Sequence, residues 1–473
     1  MKLSGQAAIA VAAMLAMSGC GGDDGGGGSP SPPPAVQKIA FTSPATTSVV
    51  ENESGTFYAL AARNPKGGTI SYRIEGGPDA GSFVLEGTGL RFDTVPNFDR
   101  PQDANRDNVY MVTLAATAGA DRAILNLAVT IANDKEGIAV TRIATGLVDP
   151  VGMSSTLDRA ELIVAQRDGT VFHLDGRTGA LQRDTDVDRE FDAGEVLAVV
   201  SAYPDMPRSK SIILLVRDAT EGLSALAVNA HGSRSLKLAG PSSLDYRASL
   251  FRDPDGLVLA AVGDPSGNFA QNSGSGLGKL FSVSPSNPFA DPSQSVNPYV
   301  QAEQIGDGIQ NPGGGGFIRK ETALADRGST VLHELNLFLS NARPLDFGWP
   351  FREGNEAVRT NPPAAVNGPV LVYPFGTGRL AGEGIIMGVD YLGAIPGLKG
   401  QFVFGDSDGT IWSIKTDLLF DGFLRTVDVF ERRTEDFEPD QGAIDSPVAF
   451  ALDEGGTIYI LDTDGEVFRV DQS

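Results

Sequence analysis

Apolar and polar residues alternate along this chain in short runs, and a helical period is rarely sustained. Between residues 36 and 135, the segments "TISYRIEG", "GSFVLEG", "YMVTLAATAG" and "ILNLAVTIAND" each alternate, with turn residues between them. That pattern predicts half-buried strands packed as a β-sandwich. From residue 137 a different unit recurs: an apolar run, an Asp-Gly pair and a second apolar run. It reads "DGTVFHLD" at 168–175, "DGTIWSIK" at 408–415 and "DGEVFRVD" at 464–471, preceded by "ELIVAQR", "FVFGDS" and "IYILDT". Glycine tolerates the positive φ of a tight turn, so each copy predicts a β-hairpin.

The turn glycines set the architecture. Gly169, Gly222, Gly278, Gly409 and Gly465 are separated by 53, 56, 131 and 56 residues. The long interval holds two units, with one marker blurred near "HELNLFLS". Six multi-stranded units of this size predict a six-bladed β-propeller over 137–473, with "GIAVTRIA" completing the last blade and closing the ring. The fold class expected is all-β, a sandwich followed by a propeller.

Composition narrows the partners. The chain has 473 residues, with 37 basic and 60 acidic ones, for a net charge of −23. Such a surface repels nucleic acid and anionic membranes and suits cations. One cysteine excludes an internal disulfide and a thiolate metal cluster. It ends "MKLSGQAAIAVAAMLAMSGC", a basic residue, an apolar stretch and small residues, which reads as a secretory signal. "MSGC" resembles a bacterial lipobox, so residues 1–19 are expected to be removed and Cys20 lipidated. Acyl chains contribute about 0.8 kcal/mol per buried CH₂. Residues 20–35, "CGGDDGGGGSPSPPPA", bury no core and form a tether with a relaxed reach of roughly 20 Å. By the behaviour of such lipoproteins, Gly21 and Gly22 direct the anchor to the outer membrane.

The block 36–135 resembles a cadherin-like repeat through "VVENE", "YRIEGGPDAGSF", "NFDRPQDANRDNVYMVTLAATAG" and "VTIAND" in that order. The resemblance implies a calcium site on Glu51, Asp99, Asn133 and Asp134, with Asp103 and Asp107 able to add oxygens. Ala62-Arg63-Asn64 stands where the family carries an acidic pair, and Ala118 where it carries an aspartate.

The region 140–473 resembles the glucose/sorbosone dehydrogenase family. The segments that carry this are "GLVDPVGM", "AGEVLAVVSAYPDM", "DPDGLVLAAVGD", "AQNSGSGLGKLFSVSP", "GIQNPGGG", "ELNLFLSNARPLDFGWPFREG" and "GLKGQFVFGDSDGTIWSI". That resemblance implies pyrroloquinoline quinone (PQQ), calcium and sugar oxidation. The residues depart from it. A base must take the hydroxyl proton as hydride leaves, yet the window that holds the family's histidine is "SSLDYRASLFRDPDG". His173, His231 and His333 all lie elsewhere. PQQ is a tricarboxylate and needs cations, but the family's Arg-Asn pair is Gln310-Asn311, its lysine falls near Gly384, and its last arginines fall in "AIDSPVAF". Asn311 alone remains as a cofactor contact.

The phosphate-loop mimic "GSGLGK" lacks the flanking strand and helix, and "DTDVDRE" at 184–190 reads as a solvated strand or loop. Two readings follow. The first is a membrane-anchored lipoprotein that binds a glycan or protein partner through a propeller without the family's chemistry. The second is a PQQ-dependent sugar oxidoreductase with rearranged contacts, drawing on Arg247 and Arg379.

Overall fold

A computed structural model describes residues 38–156, 160–191, 194–201, 212–229, 232–284, 301–362 and 366–473. Cys20, the tether and His231 lie outside the described residues. No helix among the described residues is long and apolar enough to cross a membrane.

The N-terminal block is almost all strand, with one 3-10 turn at Ala80–Ser82. Thr46–Val50, Asp121–Ala132, Val109–Ala118 and Ser71–Gly76 form one four-stranded sheet, in which Thr46–Val50 runs parallel to its neighbour. Thr56–Ala59, Gly89–Phe92 and Phe83–Glu86 form a second, three-stranded sheet. Their inner faces share one core built on Leu90, Leu114, Leu127, Val129 and a nest of aromatic rings. Phe83, Phe92 and Tyr110 meet at centroid distances of 4.8 to 6.1 Å.

Residues 138–472 form six antiparallel sheets in a ring. Blade 1 is Pro150–Ser155, Glu161–Gln166, Val171–Asp175 and Leu181–Arg183, and blade 2 starts at Glu195–Ser201. Blades 3, 4, 5 and 6 start at Ala248–Arg252, Pro312–Ile318, Ile385–Tyr391 and Pro447–Leu452. Each of these six first strands packs on the next, and the last packs on the first, so they wall a central channel. Ile138–Ala144 pairs with Val467–Gln472 and closes the ring as expected.

The glycine markers lie between the second and third strands of their blades or, in the case of Gly222, open the third strand, at φ of +91°, +91°, +72°, +88° and +89°. The aspartate before the turn recurs for a reason: Asp168 and Asp408 each accept the amide of a threonine two residues on, at 2.9 Å. In blade 4 the marker is Gly328, in "DRGST". There a Cβ would meet the Leu332 carbonyl oxygen at 1.9 Å, so glycine is required by close approach instead of by positive φ. Blade 5 then comes late because residues 339–370 insert two short strands and a further one, Leu345–Asp346, that joins blade 3.

Five of the six inner strands carry a bulge, which shifts register between Pro150 and Gly152, Val196 and Ala198, Pro312 and Gly314, Ile386 and Val389, and Pro447 and Ala449. Bulges re-aim side chains, and the skipped residues line the channel. The segment "DTDVDRE" departs from expectation. Thr185–Glu190 is a short helix with Asp184 as its cap, accepting from Asp186 and Val187 amides at 2.8 and 3.1 Å.

Candidate functional site: the propeller channel

The channel has a volume of about 850 Å³ and receives residues from all six blades. A cavity of this size fits a small ligand of a few rings. The window "SSLDYRASL" supplies much of the wall. Among the described residues, no histidine lines it. His173 is bracketed by Glu161 and Asp184 at 3.0 and 2.8 Å, and buried His333 pairs through Nε2 with the Gly382 carbonyl at 3.0 Å. Both lie outside the channel lining. Tyr246 takes the wall position instead, and burial pushes its hydroxyl up, away from any role as a base at neutral pH.

Charge at the wall is unlike charge on the rest of the chain. Arg167, Arg217, Arg247 and Arg327 face Asp149, Glu195, Asp218 and Asp245, four against four, in a protein of net −23. The acids are already committed. Arg167 bonds Asp149 at 2.8 Å and Glu195 at 3.4 Å, and Arg217 bonds Glu195 at 2.5 Å and Asp245 at 3.4 Å. Asp218 caps its own turn through the Thr220 and Glu221 amides.

That leaves Arg247 and Arg327, neither with a carboxylate within 4 Å among the described residues. Arg327 is 6% exposed, and its one side-chain bond is Nε to the Ile385 carbonyl at 3.2 Å. Burial, and then the neighbouring Arg247, push its pKa down to about 9, so it stays charged at neutral pH. Arg247 is open to the channel's water yet walled by protein, and burial and Arg167 lower it too. A Cβ on Gly384 would lie 3.0 Å from a terminal nitrogen of Arg327. The Arg327 guanidinium therefore occupies the region where the resemblance expects a lysine, reaching it from another blade.

Of the remaining expectations, Asn311 uses its backbone amide on Asp326 at 2.6 Å and does not line the channel. Gln310 is a buried bridge to Ser329 and Glu353 at 2.8 and 2.9 Å. Arg379 is exposed and outside the channel. Sequence reasoning named Arg247 and missed Arg327, whose only local signal is an arginine directly after the buried strand "ETALAD".

The residues expected to hold calcium sit at the junction of the two units. Glu51 accepts the Phe98 and Asp134 amides at 2.8 and 3.0 Å, and Asp103 accepts those of Asp107 and Asn108 at 2.9 and 3.1 Å. The Asp134 side chain is exposed, and Asn133 donates to Asp436 at 2.7 Å. Asp99 is bonded by Arg433, whose Nη1 lies 2.5 Å away. Burial pushes Asp99 up to about 9, with Arg433 opposing. Asp99 Oδ1 and Asn133 Oδ1 are buried without a hydrogen-bond partner. With a guanidinium among them, these residues do not fit a calcium ligand set. A separate acidic trio, Asp445, Asp462 and Asp464, brings carboxylate oxygens within 4.8 Å of one another.

No protein-family model and no curated protein matches the sequence. Solved structures do resemble it. The apo-form of the soluble aldose sugar dehydrogenase from Escherichia coli is similar at a TM-score of 0.52 and 18% identity, covering 71% of this chain and 100% of that one. Two glucose dehydrogenase structures are similar at 0.50 and 18%, again over 71% of this chain. At this identity the likeness is one of fold: this chain carries a β-propeller like that of the sugar dehydrogenases.

Proposed function

We propose that the chain is a lipid-anchored envelope protein whose propeller channel binds a carboxylated carbohydrate. The observation that carries this reading is the pair of guanidinium groups, Arg247 and Arg327, that have no carboxylate within 4 Å among the described residues, in a channel whose other arginines are paired. Arg327 is a buried cation without an ion-pair partner, which is costly. Arg247 beside it is open to the channel, and planar guanidinium groups match carboxylates in bidentate geometry. Among the described residues the wall presents arginines and no imidazole, which supports holding a ligand over taking its proton. The signal, the Gly/Pro tether and Cys20 support attachment to the bacterial envelope, at its outer membrane. The N-terminal sandwich, cadherin-like in the order of its motifs, acts as the stalk that presents the propeller to a glycan or protein partner.

The test is a calorimetric titration of the purified protein with a uronic-acid disaccharide and its neutral counterpart. A charge-assisted hydrogen bond contributes about 1.5–3 kcal/mol, so the acidic sugar is expected to bind roughly 10- to 100-fold tighter. Arg247→Ala is expected to level the two. Equal affinity for both sugars, or binding of neither, overturns the reading.

A second reading rests on the same two cations and on the fold shared with sugar dehydrogenases. PQQ brings three carboxylates, which Arg247 and Arg327 could hold. The residues thus fit its binding, but they do not fit the family's proton abstraction. Dye reduction with an aldose above the rate of free PQQ would make this second reading the primary one.

A further inference from the structure

The junction between the sandwich and the ring is built around Arg433, which lies just after the last strand of blade 5 and is 2% exposed. Its Nη1 is 2.5 Å from Asp99 of the sandwich, 2.6 Å from Glu136 of the connecting segment and 3.1 Å from Asp436 of the ring. Its Nη2 is 2.5 Å from Glu431, and its Nε donates to Ser413 at 3.2 Å. Four carboxylates from three parts of the chain therefore converge on one guanidinium. Further bonds cross the same seam: the Arg432 amide to the Asp99 carbonyl at 3.0 Å, Asn97 to Glu431 at 3.1 Å and Asn133 to Asp436 at 2.7 Å.

Asp99 and Asn133 are residues that the cadherin-like resemblance assigns to calcium. Carboxylates converging from adjoining units need a central positive charge, because without one their mutual repulsion would separate the units. Here the charge is part of the chain. We propose that Arg433 is a built-in cation standing where calcium is expected, so that the sandwich is locked to the ring without a metal. The lock has no affinity to lose when the calcium concentration falls, unlike a junction made by a dissociable ion.

The experiment measures the melting temperature of the full chain in excess calcium and in chelator. The two are expected to agree within about one degree. In Arg433→Ala, the melt is expected to fall, cleavage by protease in the segment 133–137 to speed up, and calcium to restore both, because the acidic cage is left open. A folded Arg433→Ala protein that calcium does not rescue would overturn the proposal. Should Arg433→Ala fail to fold, the wild-type melts decide. A calcium-induced rise in the wild type that disappears in Asp464→Asn belongs to the separate acidic trio and leaves the proposal standing. One that survives Asp464→Asn puts a metal at the junction and overturns it.

Discussion

Replacing Arg327 with methionine separates a binding residue from a structural one, because the two roles give opposite signs. The guanidinium is 6% exposed, and burial, helped by Arg247, pushes its pKa down from the ordinary arginine range to about 9. At about 1.4 kcal/mol per pKa unit, the buried charge costs the ligand-free fold on the order of a few kcal/mol. Against that stands one hydrogen bond, Nε to the Ile385 carbonyl at 3.2 Å, which contributes about 1 kcal/mol. The methionine also leaves some space beside Gly313 and Gly384, for about 1 kcal/mol more. The balance favours the variant. Arg327→Met is expected to melt a few degrees higher than wild type without ligand, and to bind a uronic-acid disaccharide about 10- to 100-fold more weakly. Differential scanning calorimetry and titration calorimetry on the same samples read both effects. A variant that melts several degrees lower and binds as before would show that Arg327 is only a packing residue.

Two further outcomes follow. Buried Glu334 is pushed up to about 8, by burial first and Asp326 second. Between its ordinary value of 4.5 and about 8 the folded state holds the extra proton, so this group makes stability fall as pH rises through that window and flat above it. Glu334→Gln keeps a partner for Asn336, which bonds the carboxylate at 2.7 Å, and is expected to flatten that part of the profile in urea midpoints at pH 5 and pH 8. An unchanged difference between the two pH values would refute the assignment. Cys20→Ala is expected to move the protein out of the membrane fraction or to block cleavage of the signal, and undiminished membrane retention would sink the lipid anchor.

The ring was legible because its turns obey a local rule. A two-residue turn needs positive φ, glycine supplies it, and the preceding aspartate bonds the amide two residues on, so three blades repeat one phrase. Blade 4 escaped the count because Gly328 answers to a carbonyl 1.9 Å from where its Cβ would stand, a constraint that exists only after folding. The short helix at Thr185–Glu190 was read as strand or loop since its six residues bury only Val187 and cannot display a period. The site was harder still. Arg247 could be named because it sits in a window whose place in the ring was known. Arg327 could not, since it sits in the turn between the second and third strands of one blade and fills space left by Gly384 of the next. The calcium expectation failed to converge for a related reason. It was drawn from the sandwich alone, and Arg433 arrives from a blade more than 300 residues later in the chain.

The two buried arginines show how a lock can be told from a site. Both are almost wholly removed from water, at 2% and 6% exposure, so each incurs a large desolvation penalty. Arg433 is surrounded by four carboxylates, which hold it well above its ordinary pKa even though burial alone would lower it. Its charge is more than satisfied inside the protein, and an added anion would be repelled by the surplus. Arg327 has no ion pair within 4 Å among the described residues, is pulled downward by burial and Arg247 against the more distant Asp406 and Asp326, and lines the channel together with Arg247. A charge satisfied by the chain stabilises the chain, whereas one left unsatisfied at the wall of a cavity is stabilised only when something else enters. The sign of the pKa displacement follows from this difference in partners. It is the partners that separate Arg433, held by the chain's own carboxylates, from Arg327, the group on which the proposed ligand reading rests.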